Sequence, residues 1–237
     1  MKLTKFFSGY KFKRIYEGIH MKIKAIKQVR SGKNICFITD EIQEYDLDSI
    51  LELGERGALE NATVVTTKTG KQYLRSKANT SEFDNLDTVA ITCNEKDYLL
   101  FDRKYIYLKA QNGRVKKKWV ATSGKLNATI SDQNKKDFGP LPEGDYTVKF
   151  SATLDYKNNT SLWDKIKWLW KSPAWGFVAT PLEPSPKNEM VDRGNFYIHG
   201  GNEPGSEGCI DLTNKNQNFH TFLRLYKRDV KLIVKYK

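Results

Sequence analysis

The sequence predicts an α+β protein in which a small α/β domain precedes a larger, mostly β domain. Two observations predict it. Short runs that alternate apolar and polar residues recur between glycine- and asparagine-containing turns, as strands do, whereas apolar residues at helical spacing occur in only a few short stretches. With 237 residues, the chain is long enough for two units with their own cores. We therefore divide it into a basic N-terminal extension, residues 1–20, an α/β domain, residues 21–92, and a mostly β domain, residues 93–237.

The N-terminal extension is rich in lysine and arginine but carries no recognisable secretory signal. Its apolar pair Phe6-Phe7 is far shorter than the ~7–15-residue hydrophobic region of a signal peptide. No apolar run in the chain approaches the ~20 residues that cross a bilayer. We therefore expect that the general secretory pathway does not export this protein.

The α/β domain has a predicted ββαββ order. The predicted strands are residues 21–26, 35–39, 63–67 and 72–75, and the helix runs from Leu47 to about Gly54. Tyr73-Leu-Arg-Ser76 followed by Asp84-Asn-Leu-Asp87 resembles the signature of an uncharacterised small bacterial domain. That resemblance implies no activity. The domain is either an adaptor or delivery module or an inert structural unit.

The mostly β domain opens with a predicted β-hairpin. Residues 98–108 alternate apolar and polar positions in their second half, an Asn-Gly turn follows at Asn112-Gly113, and residues 115–120 form the next strand. Farther along, residues 138–148 combine Gly-Pro and Pro-Glu-Gly turns with the start of a strand.

A short amphipathic helix is predicted at Leu162–Trp170, where apolar residues share one face and lysines lie largely opposite. Three roles remain open for it: docking on the sheet, forming a lid over a substrate cleft, or making membrane contact through Trp163–Trp170. The stretch from Pro173 to Pro186, which includes Trp175 and Phe177, predicts a loop and a strand near the site.

The tract from Phe196 to Leu212 carries the candidate chemistry. His199 and Cys209 lie on two apolar stretches joined by a glycine-rich connection, and Gly208 marks a close approach of the backbone. A thiol titrates near ~8.5, so the nucleophile needs a base within hydrogen-bond reach. His199 is the predicted base, and the Gly200 carbonyl is the predicted acceptor for its other ring nitrogen.

Other residues of this tract have predicted substrate-binding or supporting roles. Backbone N–H groups around Gly208 and Cys209 are the candidate oxyanion donors. Ser206 either lines the oxyanion region or satisfies a turn. Arg193 and Asp211 either bind a substrate carboxylate or amine or brace the loop.

The cysteines and remaining histidines predict no metal site and no cofactor. Three cysteines cannot all pair within one chain, so at least one thiol stays free. Cys36 and Cys93 lie in or beside apolar runs, and we expect both to be buried structural residues. His20 and His220 lack ligand spacing to any acidic or cysteine cluster.

The pattern His199-Gly200 followed by Ser206-Glu-Gly-Cys-Ile210 resembles the catalytic motif of the L,D-transpeptidase (YkuD-type) family. The short spacer resembles the compact branch of that family found in type VI secretion antibacterial effectors. Two features differ from the wider family: the spacing from histidine to cysteine is shorter, and Asp211 stands where an arginine commonly follows. Residues 138–148 resemble the family's Gly-Pro-x-Pro-x-Gly-x-Tyr segment, so the resemblance extends over residues 93–237.

The resemblance implies a cysteine-dependent enzyme that acts on the tetrapeptide stems of peptidoglycan through a thioester. The thioester would pass to water, to a free D-amino acid or to a stem amine, which would give a 3-3 crosslink. The compact branch favours the first two, which are L,D-carboxypeptidase action and L,D-transpeptidase exchange of D-amino acids, in an antibacterial toxin. It further implies an immunity protein, a secretion-apparatus component as partner, and action in the periplasm of a target bacterium. The rival interpretations are a non-catalytic cell-wall or nucleic-acid binder that keeps the fold, and a cysteine hydrolase of ordinary peptides.

The net charge of +12, from 40 basic and 28 acidic residues, does not choose among nucleic acid, anionic lipid and the carboxylate-rich cell wall. The densest basic run, Arg114–Lys118, follows the hairpin turn, where lysines on a strand edge oppose aggregation. No nucleic-acid motif accompanies this run, so we predict no nucleic-acid partner.

Overall fold

The computed structural model describes residues 20–78, 85–155 and 175–236, and the chain divides into two compact units, residues 1–92 and 93–237. The predicted extension, residues 1–20, lies almost entirely outside the described residues, and the predicted helix Leu162–Trp170 lies wholly outside them. Among the residues that are described, no helix is long and apolar enough to cross a membrane.

Within residues 20–78 and 85–92, the N-terminal unit contains a four-stranded sheet, a separate β-hairpin and two helices. Its elements in chain order are β1 (Ile23–Gln28), β2 (Asn34–Thr39), β3 (Glu44–Tyr45), α1 (Leu47–Glu55), β4 (Ala62–Thr66), β5 (Gln72–Ser76), α2 (Leu86–Val89) and β6 (Ala90–Thr92). The sheet order is β3-β2-β1-β6, and β4 pairs with β5. The predicted strand–strand–helix–strand–strand order is therefore present, with β3, α2 and β6 in addition.

Helix α1 begins where the sequence predicts it. The Asp46 carboxylate accepts a hydrogen bond from Ser49 N–H at 2.8 Å, which satisfies one of the unpaired donors of the first turn. Ile50, Leu51 and Leu53 are buried on its inner side. Gly54 lies near the end of α1, where a Cβ atom would meet a Val64 methyl group at 2.6 Å. The lack of a side chain thus lets the helix lie against β4.

The C-terminal unit is mostly β, and its described residues form one sheet of nine strands with one longer helix. Its elements are β7 (Tyr98–Phe101), β8 (Tyr105–Lys109), β9 (Val115–Val120), β10 (Gly144–Val148), β11 (Leu154–Asp155), β12 (Val178–Pro184), β13 (Tyr197–His199), β14 (Ile210–Asp211), α3 (Asn216–Arg224) and β15 (Val230–Val234). The strand order is β14-β13-β12-β10-β15-β7-β8-β9, and β11 pairs with β12. The α+β fold class predicted from the sequence is confirmed.

The sheet curls until its two ends meet. Thr122, just after β9, forms an antiparallel bridge with Asp211 of β14, through N–H to carbonyl bonds of 2.9 and 2.8 Å. This closure brings the loop that follows β9 against the connection between β13 and β14. Two segments more than 80 residues apart in the chain therefore meet beside Cys209.

The predicted hairpin is formed by β8 and β9. Gly113, in the Asn-Gly turn, has a φ of +82°, and its N–H donates to the Ala110 carbonyl at 2.8 Å. The stretch from Tyr98 to Leu108 is two strands and not one, because the chain reverses at Arg103, which has a φ of +76°.

Helix α3 is held on the sheet by aromatic packing. Trp119 of β9 makes an edge contact with Phe219 at 5.2 Å between ring centroids and a tilted contact with Phe222 at 5.8 Å. The Trp119 indole N–H donates to the Asn218 side-chain oxygen at 2.7 Å. These contacts anchor the helix whose first residue, Asn216, lies against the candidate active site.

Candidate active site

The candidate active site lies along the short strands β13 and β14, which run parallel, and His199 is at the carboxyl end of β13. Ile198 pairs with Ile210, and His199 pairs with Asp211. Cys209 immediately precedes β14, at the end of the glycine-rich connection. The pairing of two short strands therefore places the histidine and the cysteine-bearing loop side by side.

His199 is buried and its ring is held on two sides. Its Nδ1 atom lies 2.8 Å from the Gly200 carbonyl oxygen, the acceptor that the sequence analysis named. The Trp175 ring stacks on the imidazole at 4.8 Å between centroids and 12° between planes. Since a carbonyl only accepts, Nδ1 carries the proton and Nε2 has the lone pair, which is the tautomer of a base acting through Nε2.

The electrostatics of His199 favour the neutral ring. Burial lowers the pKa of the imidazole below its ordinary value, while the Gly200 carbonyl and the neighbouring Asp211 carboxylate oppose that shift. The ring is therefore a base at neutral pH, and the two opposing groups stabilise the imidazolium that forms when it accepts a proton.

Gly200 lies where the backbone meets the start of α3. A Cβ atom there would lie 2.4 Å from both the Asn216 Cβ atom and the Thr213 carbonyl oxygen. The Gly200 N–H donates to the Trp175 carbonyl at 3.1 Å, so the same residue positions both rings of the stack. A side chain at position 200 would displace the acceptor that orients His199.

Cys209 is a free thiol that is half-buried. Its sulfur accepts a hydrogen bond from Tyr197 N–H at 3.4 Å. Burial raises the pKa of the thiol to about 11, against the lowering effects of that N–H and of the Arg193 guanidinium. In the described part of the chain no hydrogen bond joins Cys209 to His199, so proton transfer between them requires the tighter geometry of a substrate complex.

Gly208 adopts a backbone conformation that other residues rarely adopt, with a φ of +118°. A Cβ atom at this position would lie 2.4 Å from Arg193 Nη2 and 2.7 Å from the Phe196 ring. Its carbonyl accepts a hydrogen bond from the Ser123 hydroxyl at 3.0 Å. Cys209 is therefore presented on a turn that only glycine fits.

Ser206 is used within the loop. Its hydroxyl donates to the Cys209 carbonyl at 2.6 Å and accepts from the N–H groups of Gly124 and Gly208, each at 3.3 Å. One donor and two acceptor sites exhaust the capacity of a hydroxyl group. Of the two roles predicted for Ser206, these contacts are those of a residue that satisfies a turn.

Arg193 is buried under the same loop, and its contacts are those of the bracing alternative. Nη1 donates to the Gln133 and Pro140 carbonyls, the latter at 2.7 Å, and Nη2 donates to the Gly139 and Glu207 carbonyls at 2.8 and 3.2 Å. The guanidinium thus ties three loops together, and burial lowers its pKa.

Asp211 is buried beside His199, and both of its oxygens accept backbone hydrogen bonds. Oδ1 accepts from Thr213 N–H at 2.7 Å and Oδ2 from Gly205 N–H at 3.0 Å. Burial raises its pKa, while these N–H groups and the neighbouring imidazole oppose the rise. Asp211 therefore accepts hydrogen bonds from both ends of the segment 205–213 and places negative potential next to the His199 ring.

Sequence reasoning missed two supporting residues. Ser123 donates to the Gly208 carbonyl and accepts from Leu141 N–H at 2.8 Å, and it lies in the small-residue turn after β9. Asn216 donates to the Val178 carbonyl at 2.8 Å beneath Gly200. The only signal in the sequence was the small size of the residues after β9, which does not identify the partner.

The other cysteines and His220 lie apart from these contacts. Cys36 and Cys93 are half-buried and not fully buried as predicted, because each lies at the margin of its apolar run. His220 is buried, with Nδ1 2.9 Å from the Asn216 carbonyl and Nε2 3.0 Å from the Thr180 hydroxyl. In residues 20–78, 85–155 and 175–236, no group of three or more His, Cys, Asp or Glu residues is arranged to hold a metal ion.

Residues 120–236 match the family model described as the Tlde1 domain, an L,D-transpeptidase-like domain of type VI effectors. The resemblance of the C-terminal unit to an L,D-transpeptidase-like domain of type VI effectors, predicted from the sequence, is thereby confirmed. Residues 14–88 match the family described as "Protein of unknown function (DUF3892)", which agrees with the predicted uncharacterised domain.

Among solved structures, the chain is similar to the L,D-transpeptidase (residues 123–326) from Xylanimonas cellulosilytica, with 16% sequence identity and a TM-score of 0.34. The match covers 63% of this chain and 66% of that one, slightly less than two thirds of its length. The comparison with curated proteins gave no match.

Proposed function

We propose that this protein is a cysteine-dependent enzyme that modifies the tetrapeptide stems of peptidoglycan. The observation that carries the proposal is the parallel pairing of β13 and β14, which sets His199 beside Asp211 and next to the Cys209 loop in a Tlde1 domain. Cys209 is the nucleophile, His199 is the base, and Gly200 orients the base through its carbonyl.

The protonation states define the first step. The pKa of Cys209 lies near 11 and that of His199 below its ordinary value, so the resting pair is a thiol and a neutral imidazole. The thiol therefore attacks the carbonyl carbon of the L-linked diamino acid residue as His199 Nε2 takes its proton. The tetrahedral intermediate then expels the terminal D-alanine, whose amine receives the proton from His199, and a thioester remains.

The Cys209 N–H is the best-placed donor for the oxyanion. No hydrogen bond within the described residues occupies it, whereas Gly208 N–H has the Ser206 hydroxyl at 3.3 Å. The turn at Gly208 is fixed by Arg193, Ser123 and Ser206, so the donor is held before the reaction and needs no rearrangement. Arg193 and Ser206 act in this proposal as supports of the oxyanion turn.

The thioester has two acceptors in this proposal. Attack by water gives L,D-carboxypeptidase action, and attack by a free D-amino acid gives exchange of the terminal residue. In either case His199 removes the proton of the acceptor and returns it to the departing thiolate. Both outcomes deplete the tetrapeptide donors from which a cell forms crosslinks, which is the action of an antibacterial toxin.

The test uses purified tetrapeptide muropeptides with and without a free D-amino acid, and mass spectrometry to detect tripeptide, exchanged and crosslinked products. Cys209→Ala and His199→Ala should lose all products, while Cys36→Ala, a matched cysteine substitution in the other unit, should keep them. If folded, reduced wild-type protein leaves the muropeptides unchanged, the catalytic proposal is wrong and a cell-wall binding role replaces it.

The toxin proposal places the activity in the periplasm of a target bacterium, with delivery by a secretion machine and protection by an immunity protein. Expression of the chain in a Gram-negative host with an added periplasmic leader should inhibit growth, and expression without that leader should not. Equal toxicity in both compartments would contradict a cell-wall target. The Cys209→Ala variant, expressed with and without the leader, shows whether the growth inhibition requires the thiol.

A further inference from the structure

A groove of about 640 Å³ lies beside the cysteine loop, between the segment that follows β9 and the connection from β13 to β14. Of the residues that line the groove, only Ser206 takes part in the reaction proposed for Cys209 and His199. One wall carries Lys125, Leu126 and Asn127, and the other carries Asn202, Glu203 and Ser206. A volume of this size falls in the range of about 300–1,000 Å³ that holds ligands as large as a short peptide.

The two walls are hydrogen-bonded to each other through Ser206, which also contacts the Cys209 backbone. Ser206 N–H donates to the Gly124 carbonyl at 3.1 Å, and Gly124 N–H donates to the Ser206 hydroxyl at 3.3 Å. That same hydroxyl donates to the Cys209 carbonyl at 2.6 Å. One end of the groove is therefore a single hydrogen bond away from the backbone of the reacting residue.

The wall from Asn202 to Ser206 is also fixed to the histidine side of the site. Gly205 N–H donates to Asp211, whose strand position is paired with His199. A Cβ atom on Gly205 would lie 3.7 Å from the Leu126 side chain, so the two walls contact each other at this point. The groove is thus bounded by backbone that the active site itself holds in place.

The lining has one cation, one anion, three neutral hydrogen-bonding side chains and one exposed apolar side chain. Lys125 and Glu203 carry the charges, and Leu126 is 78% exposed to solvent. This combination suits a ligand with both carboxylate and ammonium groups, many amide groups and a small apolar part. A polyanion such as nucleic acid is disfavoured, because the cation is balanced by a carboxylate.

We propose that this groove binds the stem peptide of the donor, with Lys125 pairing a stem carboxylate and Leu126 covering an apolar side chain of the stem. The inference rests on the proposed function and names the substrate subsite of the same site. A zwitterionic peptide matches the lining in charge, and the groove is too large for a single free amino acid. Lys125 and Leu126 then determine specificity, while Cys209 and His199 perform the chemistry.

Lys125 is able to exchange partners on binding. Its ammonium group lies 3.0 Å from the Glu207 carboxylate, and the two side chains are 46% and 61% exposed. An exposed ion pair of this kind contributes little to stability, so replacing Glu207 by a ligand carboxylate costs little.

The test is binding of a tetrapeptide stem to the Cys209→Ala protein, measured by titration calorimetry. Adding Lys125→Gln should weaken binding about two- to fivefold, the effect of losing an exposed ion pair, and Leu126→Ser should weaken it to a similar degree. The matched control is Lys231→Gln, which removes another exposed ion pair of the same unit, with Asp145 at 2.9 Å, and should change nothing.

A second ligand isolates the charge contact. When the carboxylates of the stem are converted to amides, Lys125→Gln should no longer weaken binding relative to the Cys209→Ala parent, because the partner of the lysine is gone. If Lys125→Gln has the same effect on both ligands, or no effect on either, the groove is not the stem subsite.

The outcomes separate this inference from the proposed function. Turnover of muropeptides that is insensitive to Lys125→Gln and Leu126→Ser overturns the subsite and leaves the enzyme. Binding in the groove that depends on Lys125, without any turnover by wild-type protein, overturns the enzyme and leaves a peptide site. Absence of both turnover and binding overturns both.

Discussion

Gly208→Ala tests whether the turn that presents Cys209 depends on the missing side chain. The substitution adds one methyl group at a φ of +118°. That methyl group would lie 2.4 Å from Arg193 Nη2 and 2.7 Å from the Phe196 ring. Neither neighbour is able to retreat easily, since the guanidinium is held by four carbonyls and the ring is 3% exposed.

Two costs add in this variant. A non-glycine residue in such a backbone region costs about 1–3 kcal/mol, and overpacking a fixed site costs about 1–3 kcal/mol more. The matched control is Gly113→Ala in the β8–β9 turn, where φ is +82° and no atom lies within 4 Å of the added methyl group. The control therefore carries only the backbone strain. The difference between the two variants, about 1–3 kcal/mol, measures the clash together with the difference in backbone strain between a φ of +118° and one of +82°.

The assay is urea unfolding followed by tryptophan fluorescence. All five tryptophans lie within residues 93–237, so this signal reports the C-terminal unit. Gly208→Ala should unfold at lower urea than Gly113→Ala, and only Gly208→Ala should lose the proposed muropeptide turnover, because only it displaces Cys209. Equal destabilisation by the two substitutions would refute the argument that Gly208 is required by close packing.

Three further predictions concern buried polar groups. Asp211→Asn should lower the free energy of unfolding by about 1–3 kcal/mol, because the amide turns its own NH₂ group toward one of the two backbone N–H donors. Asp145→Asn, at an exposed position, should leave that free energy unchanged. An equal loss in both variants would contradict the role of Asp211 as a buried acceptor. Trp175→Leu should raise the pKa of His199 in an NMR titration, because burial is the largest cause of the lowered pKa. An unchanged or lower pKa would contradict this, because the loss of the stacked ring would then affect the pKa at least as much as the entry of water. Burial lowers the pKa of His220 to about 4 in the folded protein, against an ordinary value of ~6.5 in the unfolded chain. Below pH ~6.5 the unfolded chain therefore binds one proton more than the folded protein. The free energy of unfolding should fall by about 3 kcal/mol between pH ~6.5 and pH 4. His220→Gln should flatten that dependence, and an unaltered slope would assign it to other groups.

Local sequence patterns were sufficient to predict the elements whose stabilising contacts lie within a few residues of one another in the chain. The Asn-Gly turn at Gly113 and the alternation on either side of it predict the β8–β9 hairpin. The apolar spacing after Asp46 predicts α1, and the capping bond to Ser49 explains its start. These features depend on neighbours within a few residues, which the sequence displays directly.

Elements that depend on distant partners were not predicted. Strand β6 is only three residues long and exists because it pairs in parallel with β1, for example Ile26 with Ala90. The break at Arg103 was likewise missed, because a positive φ at an arginine has no signature in composition. Short strands and strained turns gain their stability from tertiary contacts, so no local pattern indicates them.

The sequence by itself determined the α+β fold class, the family resemblance and the candidate pair His199 and Cys209, because each follows from residue types at fixed spacing. Only the tertiary structure decided what surrounds that pair. Arg193 and Ser206 hydrogen-bond to backbone of the surrounding loops, Trp175 stacks on the imidazole, and a groove lies beside Gly205. These arrangements follow from the curl of the sheet, which joins Thr122 to Asp211 across the fold and brings together segments that the sequence keeps far apart.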